Sequence, residues 1–239
     1  MLDSAPLSIA EARHERTESV RLDNFVDGAF AFAVTLLVIS GASLPKNVVA
    51  LERALRGVPA FAACFAQLAW FWHAHVHWRD NARLTDKHSL LLSLLLVFFA
   101  LVFVFPLHLV YAGMFNGGSG GALSPDVTTF TNHNEGIAAL FVCYGLSYAC
   151  MAGTLAALYR HGARTATWMC REEAVSVRVW GVIWAYVAAV GLFSAVLAVA
   201  LPANAGWVSG LPGFGYFLLA LIGPIAHYYS NHLKATLPP

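Results

Sequence analysis

The sequence predicts an all-α, polytopic membrane protein with six transmembrane helices and with both the N- and C-termini in the cytoplasm. Three observations predict it. Of 239 residues, 59% are hydrophobic and only 11% charged, far from the roughly 25% charged content of a soluble domain. No Asp, Glu, Lys or Arg lies between Glu135 and Arg160 or between Arg178 and Lys234. The basic residues also cluster in every second connection and so fall on one side, as cytoplasmic loops retain Lys and Arg.

Each span approaches the roughly 20 residues needed to cross about 30 Å of hydrocarbon. Residues 22–42 form the first, after a basic leader containing Arg13, Arg16 and Arg21, and Pro45 follows it. The second, 54–77, is trailed by Arg79, Arg83 and Lys87. The third, 89–113, ends before Gly117-Gly118-Ser119-Gly120-Gly121 and Pro125, which have turn chemistry. Spans four and five, 135–159 and 176–200, enclose Arg160, Arg164, Arg171 and Arg178. Pro202-Ala203-Asn204-Ala205-Gly206 separates the fifth from the sixth, 211–232, which Lys234 follows. All these basic groups fall on one side, whereas the opposite connections carry Lys46, with Arg53 and Arg56 near the start of span two. Trp70, Trp72, Trp78, Trp168, Trp180 and Trp184 cluster near the inner ends of spans two and five, where an indole suits the interface. The chain therefore divides into a cytoplasmic segment 1–20, a membrane domain 21–233 and a tail 234–239.

The basic leader, the apolar run Gly28–Ile39 and Gly41-Ala42-Ser43 have the outline of a cleaved signal peptide, but Asp27 inside the segment argues for a retained span. Cys64, Cys143, Cys150 and Cys170 lack ligand spacing and are expected as buried small side chains. A net charge of +1 gives no basis for capturing nucleic acid.

Ionisable groups within spans are functional candidates because they are costly there. Few are present: Asp27, the histidines of His73-Ala74-His75-Val76-His77, His108 and His227. His73 and His77, four apart, share a helix face, whereas His75 points away and no companion acid lies on a neighbouring span. No metal or other cofactor is expected. There is also no mid-span carboxylate of the kind a coupled transporter uses.

The first span carries the most specific signal. Arg21 is followed by Phe25-Val26-Asp27, then by an apolar helix with Thr35-Leu36-Leu37 and by Pro45; Trp72 and His75 stand three apart in span two, and span three reaches Phe105-Pro106. Over about residues 20–110 this pattern resembles the signature of the transmembrane-protein-175 family of potassium channels. Two departures are Val26 in place of the family's usual Ser and Val76 in place of a second His. The resemblance implies a polar network of Arg21, Asp27 and His75 acting as a structural tie between helices. It also implies that first helices from several subunits line a pore, with Phe32, Leu36 and Ile39 as hydrophobic rings and Thr35 as a hydroxyl between them.

Helical geometry separates these two roles. At about 100° per residue, Gly28, Phe32, Thr35, Leu36 and Ile39 fall on one stripe, and Asp27 lies about 130° from its centre. No Thr-Val-Gly-Tyr-Gly carbonyl filter occurs. The expected function is a potassium-permeable cation channel, with proton leak as a secondary property, in the cell membrane of a bacterial-type inner membrane. Potassium ions and membrane lipid are the partners, and a single six-helix unit implies a homotetramer. A transporter or permease is the second reading, and a His-containing membrane metalloprotein the third.

Overall fold

A computed structural model describes residues 9–40, 45–125, 134–201 and 210–236. Every regular element among them is helical. They are α1 (Ile9–Ser40), α2 (Val48–Arg56), α3 (Val58–Ala82), α4 (Lys87–Gly118), α5 (Asn134–Thr165), α6 (Arg171–Ala200), α7 (Leu211–Phe214) and α8 (Ile222–Thr236), the last two joined by a 3₁₀ turn over Gly215–Leu221. Five segments are long and apolar enough to cross a membrane: Ser19–Ile39, α4, Gly136–Thr165, α6 and Leu211–Thr236.

α3 is the exception among the expected spans. Its 25 residues reach about 37 Å, sufficient for a bilayer, yet its second half holds His73, His75, His77, Arg79 and Asp80, which lower its apolar average. The five apolar segments coincide with the other five expected spans. Helix ends differ more. α1 starts at Ile9 and so takes in about half of the leader expected to precede the membrane domain. α4 runs through Pro106 without a break and continues to Gly118, after which Gly120 and Gly121 take positive φ and turn the chain. α2 was not foreseen in the first connection: Asn47 caps it by accepting from the Ala50 amide at 2.8 Å, and none of its residues is buried.

The core runs through the middle of the bundle. α5 and α6 form its tightest pairing, α1 lies against α4 and α3, and α8 lies against α6. Aromatic rings fill the centre: Phe71 meets Phe103, Tyr148 and Trp184 edge-on or tilted at centroid distances of 6.0, 5.4 and 5.2 Å. Trp78 and Trp184, expected as interfacial anchors, are instead fully buried, because they pack across helix pairs; Trp168 is exposed. Only Cys64 of the four cysteines is buried, and none forms a disulfide.

Candidate functional site on the first helix

α1 presents three faces. Leu22, Val26, Phe30, Ala33 and Leu37 are buried against α3 and α4, as their three- and four-residue spacing dictates. Centred about 130° away on the helix lies the stripe of Gly28, Phe32, Thr35, Leu36 and Ile39. Its own chain leaves that stripe uncovered: Phe32 is 54% and Ile39 65% exposed, Thr35 is exposed, and Leu36, nearest the buried face, is half-buried. The Thr35 hydroxyl donates back to the Ala31 carbonyl at 3.1 Å, which holds it close to the helix wall.

The third face is polar and ties α1 to its neighbours. Trp72 Nε1–H donates to Asp27 Oδ1 at 2.8 Å, joining α3 to α1. His75, buried, shares a 3.0 Å hydrogen bond between its Nε2 and Ser93 Oγ, joining α3 to α4. Arg21 is exposed and lies beside Phe25 and Leu94 in a shallow recess. The three residues expected to form one network thus occupy the same end of the bundle, but no hydrogen bond links them directly among the described residues.

The strongest knot at that end was not anticipated. Arg79, buried near the end of α3, donates from Nε to Asp23 Oδ1 at 2.6 Å and from Nη2 to Asp23 Oδ2 at 3.3 Å. Its Nη2 also reaches Ser19 Oγ at 2.5 Å, and Nη1 donates to the Leu84 carbonyl. One guanidinium therefore satisfies groups from α1 and from the α3–α4 turn, in the two-pronged geometry that arginine offers a carboxylate. A sequence signal existed: Asp23 and Asp27 are four apart on α1, which puts both carboxylates on one face.

The histidines of α3 do not converge. His73 is exposed, His75 faces Ser93, and His77 Nδ1 lies 3.1 Å from Tyr159 Oη on α5. At the same end, Asp86 caps α4 and accepts from Ser89 Oγ at 2.6 Å, while His161 Nε2 of α5 lies 2.9 Å from its other oxygen. Partial burial would raise the Asp86 carboxyl, but the Ser89 and His161 bonds, with the His88 amide, outweigh it and bring it down to about 2.

Comparison with known proteins follows this division of the chain. The family model for the endosomal/lysosomal potassium channel TMEM175 matches residues 21–106, which run from the polar end of α1 to Pro106 of α4. A Marivirga tractuosa protein named as a potassium channel is 33% identical over 132 residues, 54% of this chain; the match spans about half, 53%, of that relative's length. The crystal structure of a threonine-to-alanine variant of the potassium channel MtTMEM175, in complex with a nanobody–MBP fusion protein, superposes with a TM-score of 0.73. Its sequence identity is 25%, and the superposition covers 90% of this chain and 94% of that one. The chain is a multi-pass membrane protein whose residues 21–106 are similar to the TMEM175 family and whose helical architecture is similar to that of MtTMEM175.

Proposed function

We propose that this protein is a potassium-permeable cation channel of the cell membrane, in which α1 stripes from four copies face a common axis. The observation that carries this reading is the uncovered stripe of Phe32, Thr35, Leu36 and Ile39, set opposite the buried face of the helix that the family model matches. Lipid covers a bare apolar face equally well, so it is the family model's match to this helix that favours a ring of identical subunits around the stripe. The potassium-channel relatives support the choice of ion.

In such a ring, Phe32, Leu36 and Ile39 form stacked apolar constrictions. Phenyl rings close a narrow passage and expel water, so an ion must shed part of its hydration shell, which disfavours the more tightly hydrated sodium. Thr35 offers hydroxyls between the rings. Opening needs outward movement or rotation of α1, and any proton leak follows the same route once water enters. Asp27 and His75 serve as ties to Trp72 and Ser93 and not as ion ligands, with Arg21 adding positive charge at the same end. α3 completes a six-span unit with both termini cytoplasmic.

The test is flux from potassium-loaded vesicles with sodium as the competing ion. The protein should accelerate potassium release over empty vesicles, and Phe32→Ala should increase it severalfold. Flux that Phe32→Ala leaves unchanged would overturn the constriction assignment.

A further inference from the structure

The geometry points to a binding site for a single-chain amphiphilic primary amine, in its ammonium form, in the groove between α1 and α3, a site independent of the pore reading. The groove lies on the side of α1 that Asp27 occupies, about 130° from the Phe32–Ile39 stripe. It encloses about 330 Å³, a volume at the small end of ligand sites. Its polar end is the Asp27 carboxylate beside the Trp72 indole. The rest of the lining is apolar, from Phe30, Ala31 and Val34 of α1 and from Phe65, Leu68 and Ala69 of α3.

An uncompensated carboxylate sets the charge of the ligand. Asp27 lies inside the apolar segment Ser19–Ile39, where an ionised group without a counter-charge is costly. Its Oδ1 accepts from Trp72 Nε1–H, a neutral donor, and Asp27 makes no ion pair among the described residues. The groups that could neutralise it are committed elsewhere: Arg79 bonds to Asp23, His75 bonds to Ser93, and Arg21 lies in the recess toward α4. Asp27 Oδ2 thus keeps its lone pairs for a donor that the chain does not supply, and an ammonium offers three. The indole lining the same end also favours a cation.

Register sets the shape of the ligand. α1 and α3 run antiparallel, because the step back from Asp27 to Asp23 on α1 is matched by the step forward from Trp72 to Arg79 on α3. Val34 stands seven residues beyond Asp27 and Phe65 seven residues before Trp72, so both walls extend about 10 Å from the carboxylate in the same direction. All six apolar residues fall within that length. An ammonium at Asp27 would lay one short alkyl chain along them, and the groove has no room for the two long chains of a phospholipid. A primary alkylamine is protonated at neutral pH, as the lysine side chain is.

Photolabelling of the full chain in phosphatidylcholine vesicles tests the site, with n-octylamine carrying a diazirine near the end of its chain as the probe. Labels should fall on residues 30–34 and 65–69, and plain n-octylamine should compete them away where n-octanol does not. Asp27→Asn, which keeps an oxygen for the Trp72 bond, should reduce labelling about fivefold. Ala31→Phe, an exposed change that fills the slot, should reduce it further. Labels scattered over other helices, equal competition by n-octanol, or unchanged labelling in Asp27→Asn would each overturn the proposal. Vesicles containing phosphatidylethanolamine separate the two sources of a primary ammonium: undiminished labelling there supports the single-chain amine, and loss of labelling would overturn that choice in favour of the lipid headgroup.

Discussion

In the first half of the bundle, α1, α3 and α4 are joined by hydrogen bonds that involve charged or polar side chains: Arg79 to Asp23, Trp72 to Asp27, His75 to Ser93. In the second half, α5 and α6 are joined by the near absence of side chains. A Cβ added to Gly145 would lie 2.7 Å from the Gly191 carbonyl oxygen and 2.9 Å from the Ala195 amide nitrogen. One added to Gly191 would lie 3.0 Å from both the Ala149 amide nitrogen and the Gly145 carbonyl oxygen. Lipid tails are as apolar as leucine, so burying apolar surface against lipid gives helices little reason to associate, and these are the two remaining devices: polar bonds and close backbone packing. The family model's match, residues 21–106, falls in the half held by polar bonds. A polar tie demands particular residue types at particular spacings, whereas close packing demands only smallness.

Three measurements would break or sharpen this contrast. Arg79→Ala should have the largest effect, because it strands Asp23 and the Leu84 carbonyl while leaving a void in the bundle. Since Asp23 is partly exposed, the loss sits at the lower end for a broken buried pair, about 3 kcal/mol, and thermal melting in detergent would register it. Melting that is unchanged would show that the first half does not depend on its polar knot. Gly145→Ala comes next, at about 2 kcal/mol, because the atoms its methyl meets are backbone and cannot rotate aside. A neutral result there would mean that α5 and α6 can separate at no cost, contrary to the packing described.

The smallest effect should be pH-dependent. Asp86 is held at about 2, below its ordinary value of 3.8, so its stabilising contribution is complete above pH 3.8 and disappears as the pH falls through about 2. The melting difference between the wild-type chain and Asp86→Ala should therefore be constant above that window and shrink within it. A difference that persists at the acid end would assign the effect of Asp86 to helix capping alone.

How much of this was legible in the sequence varies by element. The five apolar spans were, because runs such as Leu90–Leu109 and Val179–Ala200 leave water no purchase and hydropathy reads that directly. The Phe32–Ile39 stripe was also legible, since helical periodicity places it away from Val26, Phe30 and Leu37 without knowledge of any neighbour. The α1–α3 knot was not. Arg79 follows a predicted span, where a basic residue is read first as a marker of the cytoplasmic side; only the three-dimensional approach of α1 turns it into the partner of Asp23. In place of the expected Arg21–Asp27–His75 network, Asp27 bonds to Trp72, three residues before His75 on the same helix, and His75 bonds to Ser93 of α4. The tryptophans misled for a related reason: an indole near a helix end suits the interface and the core equally well, and Trp78 sits where Gly162 leaves room for its ring. The 3₁₀ stretch before α8 had no sequence marker beyond Gly215 and Pro212 upstream of it.

The Arg79 knot also sets how α1 can move. It grips the helix at Ser19 and Asp23, close to its midpoint, while Ile39 stands sixteen residues beyond Asp23, about 24 Å away. A rod pinned at mid-length behaves as a lever: swinging it by about 5° carries Ile39 roughly 2 Å sideways and Gly28 less than about 1 Å. Displacement is thus amplified toward the far end, and a slight change of angle at the pivot is worth most at Ile39 and progressively less at Leu36 and Phe32.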